Sequence, residues 1–206
     1  MARLFLAVWP PERVVDQLRA LPRPPLRGVR WTGADQWHVT LRFFGEAEPD
    51  EAEAAARGLR AAAGEVALGP TTARLGRSVL ALPARGLDEL AAAVADVTRS
   101  VGRPPDRRPF LGHLTVARLR RGAAPVDPLD LEAHWTVGSV ALVESRLLPT
   151  GAAYRTLTEV PLRSDGTAVA GEDGEPGDAH RRHGQRGVDD RDDERGGDEV
   201  EREDAL

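Results

Sequence analysis

Two tripeptides of one form carry the chemistry in this chain: His38-Val39-Thr40, within WHVTLRFFGE, and His113-Leu114-Thr115, within PFLGHLTVAR. On an extended strand, residues i and i+2 share a face. Each His therefore projects beside its Thr, while Val39 and Leu114 point the other way, into a core. Two such pairs facing one cleft would set two imidazoles and two hydroxyls around a single phosphate. A neutral His would take a proton from an attacking water, and a protonated His would give one to the leaving oxygen. Histidine is the side chain whose ordinary pKa lets both forms coexist near neutral pH. Each positioned acid or base typically contributes about 10²–10⁴-fold. The Thr hydroxyls can donate to non-bridging oxygens where charge builds up. Nothing in this scheme requires Lys, Cys, a metal or a cofactor.

Other residues nearby suit the same ligand. Arg42 follows His38 by four residues and shares its face if the strand pairs regularly; Arg118 follows His113 by five, near that strand's end. Guanidinium groups bind phosphate in a bidentate way. Trp37, Phe43, Phe44, Phe110 and Tyr154 are candidates for stacking on a base. A third tripeptide, His134-Trp135-Thr136, has no arginine in the next several residues and follows the Asp/Pro-rich stretch 125–132. It reads as a surface or strand-start histidine.

Composition bounds the chemistry. The chain has 206 residues and no Cys, and every one of its 28 Lys+Arg positions is Arg. Schiff bases, lysyl-adenylates, P-loop lysines, thiol nucleophiles and disulfides are thereby excluded. Residues 164–206 hold 15 acidic and 6 basic side chains, whereas residues 1–163 hold 22 basic and 18 acidic. The body is mildly basic, which suits a phosphate-bearing ligand. The last segment has almost no large apolar side chains to offset its ordering entropy. It is expected to be a disordered acidic tail, with His180 and His183 as at most an adventitious metal site. No apolar run reaches the length of a membrane span, and the N-terminus lacks a signal-peptide layout. A soluble cytoplasmic monomer with no membrane partner is the expectation.

Elements that could position the tripeptides follow from periodicity. Arg3–Val8 is a short apolar run closed by Pro10-Pro11 and reads as a buried strand. Pro11–Leu21 spaces Val14, Val15, Leu18 and Leu21 as a helix does. Trp37–Phe43 reads as a strand stopped by Gly45. Asp50–Ala63 reads as a helix, with Asp50 as N-cap and Gly64 as the stop. Short strands are expected at 66–68, 71–75 and 79–82, and a helix over Leu87–Val101. Further strands are expected at His113–Leu119, Ser139–Leu147 and Tyr154–Val160. That order predicts an α+β protein with antiparallel sheets, and the repeated His-x-Thr suggests an internal duplication.

The pieces RLFLAV (Arg3–Val8), WHVTLRFFGE (Trp37–Glu46), RPFLGHLTVAR (Arg108–Arg118) and LVESRLLPTGAAYRTL (Leu142–Leu157) occur in the order of one family. The chain resembles the RNA 2′,3′-cyclic phosphodiesterases, also called the 2′-5′ RNA ligase family, of the 2H phosphoesterase superfamily, over about residues 2–163. One departure is Leu111-Gly112, where the family commonly has a proline just before the second His. The resemblance implies a bilobed α+β fold of two antiparallel sheets with flanking helices, related by a pseudo-two-fold, with one His-x-Thr per lobe. It implies His38 as proton donor, His113 as proton acceptor, and Thr40 and Thr115 beside the phosphate. Arg42, Arg118, Phe44 and Tyr154 complete the expected substrate site. The implied reaction opens a 2′,3′-cyclic phosphate at an RNA or oligonucleotide end to leave a 2′-phosphate, with reversible 2′-5′ ligation when a ribose hydroxyl replaces water. Two other readings stand beside it. One is a related 2H enzyme acting on another cyclic or 2′-5′-linked nucleotide; the other is a non-catalytic RNA- or nucleotide-binding module.

Overall fold

The computed structural model describes residues 1–148 and 151–163. The segment expected to be an acidic tail, with His180 and His183, lies outside them. The described chain runs β1 (Ala2–Val8), α1 (Glu12–Ala20), β2 (Val29–Trp31), a 3₁₀ turn (Ala34–Gln36), β3 (Val39–Ala47), α2 (Pro49–Arg57), β4 (Gly64–Leu68), β5 (Ala73–Leu75), β6 (Val79–Arg85), α3 (Asp88–Val97), β7 (His113–Leu119), β8 (Ala133–Val137), β9 (Ser139–Leu148) and β10 (Gly151–Pro161). This is an α+β fold.

The strands follow the order β10-β9-β1-β3-β7-β6-β4-β8, with β2 added to β7 and β5 to β6. All these strand pairs are antiparallel. The order is a near-palindrome about the β3–β7 junction, so each half contributes four strands and one His-x-Thr. The two expected sheets are thus one continuous path, joined through the single pair Val39↔Leu114. Their contact is short because β2 occupies the same edge of β7 further along, pairing Val29–Trp31 with Leu119–Ala117.

Alternation along β1 builds two cores. Leu4, Leu6 and Val8 face the helices, while Phe5 and Ala7 face the opposite side. On β9, Val140 and Leu142 join the first set, and Ala141 and Val143 the second. The larger core takes Val14, Val15 and Leu18 of α1 and Leu90, Ala91 and Val94 of α3. The smaller cluster is the floor of a cleft, rimmed by the half-buried Trp9, Phe43 and Tyr154.

Several boundaries differ from the sequence expectation. Helix α2 ends at Gly58, six residues before Gly64. Beyond it Ala61–Ala63 bond the chain at Arg163: Ala63 N–H donates to the Arg163 carbonyl (2.7 Å) and Arg163 N–H to that of Ala61 (2.9 Å). Tertiary pairing overrides alanine's helix propensity there. Asp50 lies inside the first turn, where its charge favours the helix N-terminus, and Glu48 is the N-cap. Strand β3 runs through Gly45 to Ala47, the glycine adopting φ +72° at an irregularity in its pairing with β1. Strands β2 and β8 are additional to those expected.

Candidate active site

The pair Val39↔Leu114 sets the geometry. One residue further along that antiparallel register, His38 lies opposite Thr115 and Thr40 lies opposite His113. Val39 and Leu114 are fully buried in the main core, so the four flanking side chains share the other face. All four are half-buried. His38 and His113 are then diagonal neighbours, about 7–8 Å apart at Cβ.

Both imidazoles are oriented in the same way. His38 Nδ1 lies 2.9 Å from the Gln36 carbonyl, and His113 Nδ1 lies 2.8 Å from the Leu111 carbonyl. A carbonyl only accepts, so each Nδ1 carries the proton and donates it. Each Nε2 is left with its lone pair when the ring is neutral and is the site of the second proton when the ring is charged. The departure at Leu111-Gly112 therefore leaves the second imidazole anchored like the first.

Their surroundings differ. His38 stacks on Phe5 at 4.8 Å between ring centres and meets Trp9 at 5.4 Å and Tyr154 at 5.0 Å edge-on. Burial among these rings pushes its pKa down to about 4, against an upward pull from the hydrogen bond to the Gln36 carbonyl; the Arg118 and His113 charges add weaker downward pushes. A buried hydrogen-bonded link joins the two motifs. Trp37 Nε1–H donates to Thr32 Oγ1 (3.0 Å), and the Thr32 hydroxyl donates to the Thr115 carbonyl (2.8 Å).

An extra residue just past the Thr of each motif strand decides which of the next side chains reach the cleft. On β3, Thr40 pairs with Ala7 and Arg42 with Leu6, so Leu41 is an inserted residue. On β7, Thr115 pairs with Ala81 and Ala117 with Leu80, so Val116 is inserted. A bulge of this kind reverses the face of every residue after it. Arg118 is thereby carried onto the cleft face, where its charge reaches His38. Arg42 is carried off it.

Arg42 is accordingly not a phosphate ligand. It is only 5% exposed. Its guanidinium donates to the carbonyls of Ala95, Val101 and Arg103 and to Thr98 Oγ1, at 2.9–3.1 Å. It thus caps the carbonyl end of α3, where a positive charge is favoured. Phe44 is also displaced: it is fully buried in the main core beneath Arg42. Phe43 takes the cleft side instead, opposite Phe5, with the Arg3 guanidinium 4.7 Å above its ring. Trp37 and Phe110 pack in the main core. Tyr154 stands in the cleft, edge-on to His38. His134 is exposed on β8, beside Glu132 and apart from the other two.

Sequence reasoning missed Phe5 and Trp9, the aromatic neighbours of His38 besides Tyr154. A continuous apolar run conceals which residues face the helices and which face the cleft. The two-residue spacing Phe5, Ala7, Trp9 was the available signal.

Two proton-carrying imidazoles with their hydroxyls, facing each other across a pseudo-two-fold of antiparallel strands, define a 2H phosphoesterase. Comparison with known proteins agrees. The family model described as LigT-like phosphoesterase matches residues 8–71. The chain is 31% identical over 185 residues to a Thermus thermophilus protein named RNA 2′,3′-cyclic phosphodiesterase, spanning 79% of this chain and 91% of that one. It is 27% identical to a Geobacillus stearothermophilus protein of the same name, of which it spans 47%. A crystal structure of a Thermus thermophilus protein matches with a TM-score of 0.68 at 29% identity, over 80% of this chain and 100% of that one. The E. coli LigT structure in complex with 3′-AMP matches at 0.64 and 28% identity, over 78% and 98%. The chain belongs to the LigT-like phosphoesterase family, and it is an enzyme. Among the described residues, no helix is long and apolar enough to cross a membrane.

Proposed function

We propose that this enzyme hydrolyses the 2′,3′-cyclic phosphate at RNA ends to a 2′-phosphomonoester, with His38 and His113 as its acid and base. His113 Nε2 takes a proton from water as the water oxygen bonds to phosphorus. His38 Nε2 gives its proton to the 3′-oxygen as the P–O3′ bond breaks. Thr40, Thr115 and Arg118 hold the non-bridging oxygens, and Tyr154 packs the His38 ring in place. Ligation is the same displacement with a ribose 5′-hydroxyl attacking in place of water: its oxygen bonds to phosphorus as His113 takes its proton, and the 3′-oxygen leaves with the proton from His38. One chain carries both halves of the site, so a monomer suffices, and the cytoplasm is where such RNA ends are met.

The observation that carries this reading is the diagonal placement of the two imidazoles with Nε2 free on a common half-buried face. The names of the curated relatives supply the substrate class. The test is turnover of an oligoribonucleotide ending in a 2′,3′-cyclic phosphate, with the product's 2′ or 3′ position identified. His38→Ala and His113→Ala should each lower kcat by at least about 10²-fold while the circular dichroism spectrum is retained. Activity should survive EDTA. Full turnover by either variant, or a 3′-phosphate product, would reject the mechanism.

A further inference from the structure

Arg30 on β2 is directly opposite Arg118 on β7. Paired residues on neighbouring strands project to the same side of a sheet. Val29 and Trp31 pack against the main core, so Arg30 points with Arg118 toward the cleft side. Like charges directly opposite each other repel. Among the described residues neither guanidinium has a carboxylate partner: every described ion pair involves other side chains. A juxtaposition of two unneutralised arginines is stabilised when an anion lies between or over them.

The Arg30 side chain is exposed. It reaches across to the β9–β10 hairpin, where a Cβ on Gly151 would meet its Nη1 at 2.8 Å; glycine leaves the room the guanidinium fills. Gln36 spans the same gap, its Nε2 donating to the Ala152 carbonyl at 2.5 Å. Between them opens a cleft of about 390 Å³ lined by Arg30, Trp31, Gly33, Asp35, Gln36, Leu148 and Gly151–Ala153. Its walls are an indole, an aliphatic side chain, an amide and backbone, with one cation, Arg30, and one carboxylate, Asp35, which can accept from ribose hydroxyls; its size suits one nucleoside. Gln36 is also the residue whose carbonyl orients His38, so this cleft adjoins the catalytic face.

We propose that Arg30 binds a second phosphate, the one on the 5′-oxygen of the terminal nucleoside, and that the adjoining cleft takes the residue beyond it. The inference rests on the reaction proposed above, and it makes the enzyme selective for cyclic phosphates that carry a 5′-phosphate or a preceding nucleotide. Arg118 holds the reacting phosphate on the catalytic side of the pair, and Arg30 holds the next anion along. Phosphate contacts of this kind fix position along a chain without reading base identity.

Three substrates separate the sources of that anion: cytidine 2′,3′-cyclic phosphate, its 5′-phosphorylated form, and the dinucleotide CpC ending in a cyclic phosphate. In the wild type, kcat/KM should rise about tenfold or more from the first to the second, one charge-assisted contact being worth that much. A further rise to the dinucleotide reports the adjoining cleft. In Arg30→Gln the ratio of second to first should fall at least fivefold. An unchanged ratio in Arg30→Gln, or no preference in the wild type, overturns the proposal. Binding is read separately by calorimetry with 2′-AMP and adenosine 2′,5′-bisphosphate. Tighter binding of the bisphosphate that Arg30→Gln abolishes supports the subsite even if the turnover reading fails; equal affinities in the wild type refute it even if turnover is as proposed.

Discussion

The depressed pKa of His38 sets a measurable condition on the mechanism. Its fall from the ordinary value near 6.5 to about 4 corresponds to roughly 3 kcal/mol against the charged ring. At pH 7 only about one free molecule in a thousand carries that proton. A donor must regain it on binding. One negative charge about 4 Å away, at an effective dielectric near 20, contributes about 4 kcal/mol, enough to reverse the deficit. The occupied site should therefore hold about half of the His38 rings charged at neutral pH, and the empty site should hold them neutral. Nitrogen-detected NMR of the histidine rings tests this, with sulfate as an anion that does not titrate over the range. The free enzyme should show His38 Nε2 changing near pH 4, with Nδ1 protonated throughout. Saturating sulfate should raise that midpoint by two pH units or more. The acid limb of kcat/KM, which reports the free enzyme, should likewise fall near pH 4. A free midpoint at the ordinary histidine value, or one that sulfate leaves in place, would refute the reasoning.

The same ring links pH to stability. The folded chain refuses a proton that the unfolded chain accepts, so stability is complete above about pH 6.5 and is lost as pH falls toward 4. The loss from this group is roughly 3 kcal/mol, which urea unfolding at pH 7 and pH 4 should detect and His38→Asn should remove. Arg42→Met strips four acceptors of their donor, two of them buried and two half-buried, and should cost about 4 kcal/mol. That corresponds to a fall in Tm of about 8–16 °C, read by calorimetry, while kcat of the folded protein stays within about threefold. Arg118→Gln should lower kcat/KM about ten- to a hundredfold and raise the His38 midpoint, since one charge opposing protonation is removed.

Much of this site was legible in the sequence because strand periodicity is local. His38 with Thr40 and His113 with Thr115 needed only the two-residue repeat, and the helices α1 and α3 needed only their apolar spacing. What lay beyond reach depended on partners distant in the chain. Whether Arg42 or Arg118 faces the cleft is decided by one inserted residue in each strand, Leu41 and Val116, and an insertion is defined only against the neighbouring strand. Arg42 sits one bulge past Thr40 and becomes a helix cap; Arg118 sits one bulge past Thr115 and joins the site. Strand β2 is three residues beside a Pro-rich loop, too short for any period to register, yet it carries Arg30. Helix α2 stops short because the chain near Arg163 captures Ala61–Ala63, an event over 100 positions away.

The buried bond from the Trp37 indole to the Thr32 hydroxyl, and on to the Thr115 carbonyl, has a consequence for how the enzyme meets its ligand. Trp37 immediately precedes the first imidazole, and Thr115 belongs to the second motif, so this strut works as a caliper between the jaws. The gap is gauged before any nucleotide arrives, and no part of the strut touches what enters. Little ordering is then left to be done on arrival. Thr32→Val would loosen the jaws without altering a single group that faces the phosphate.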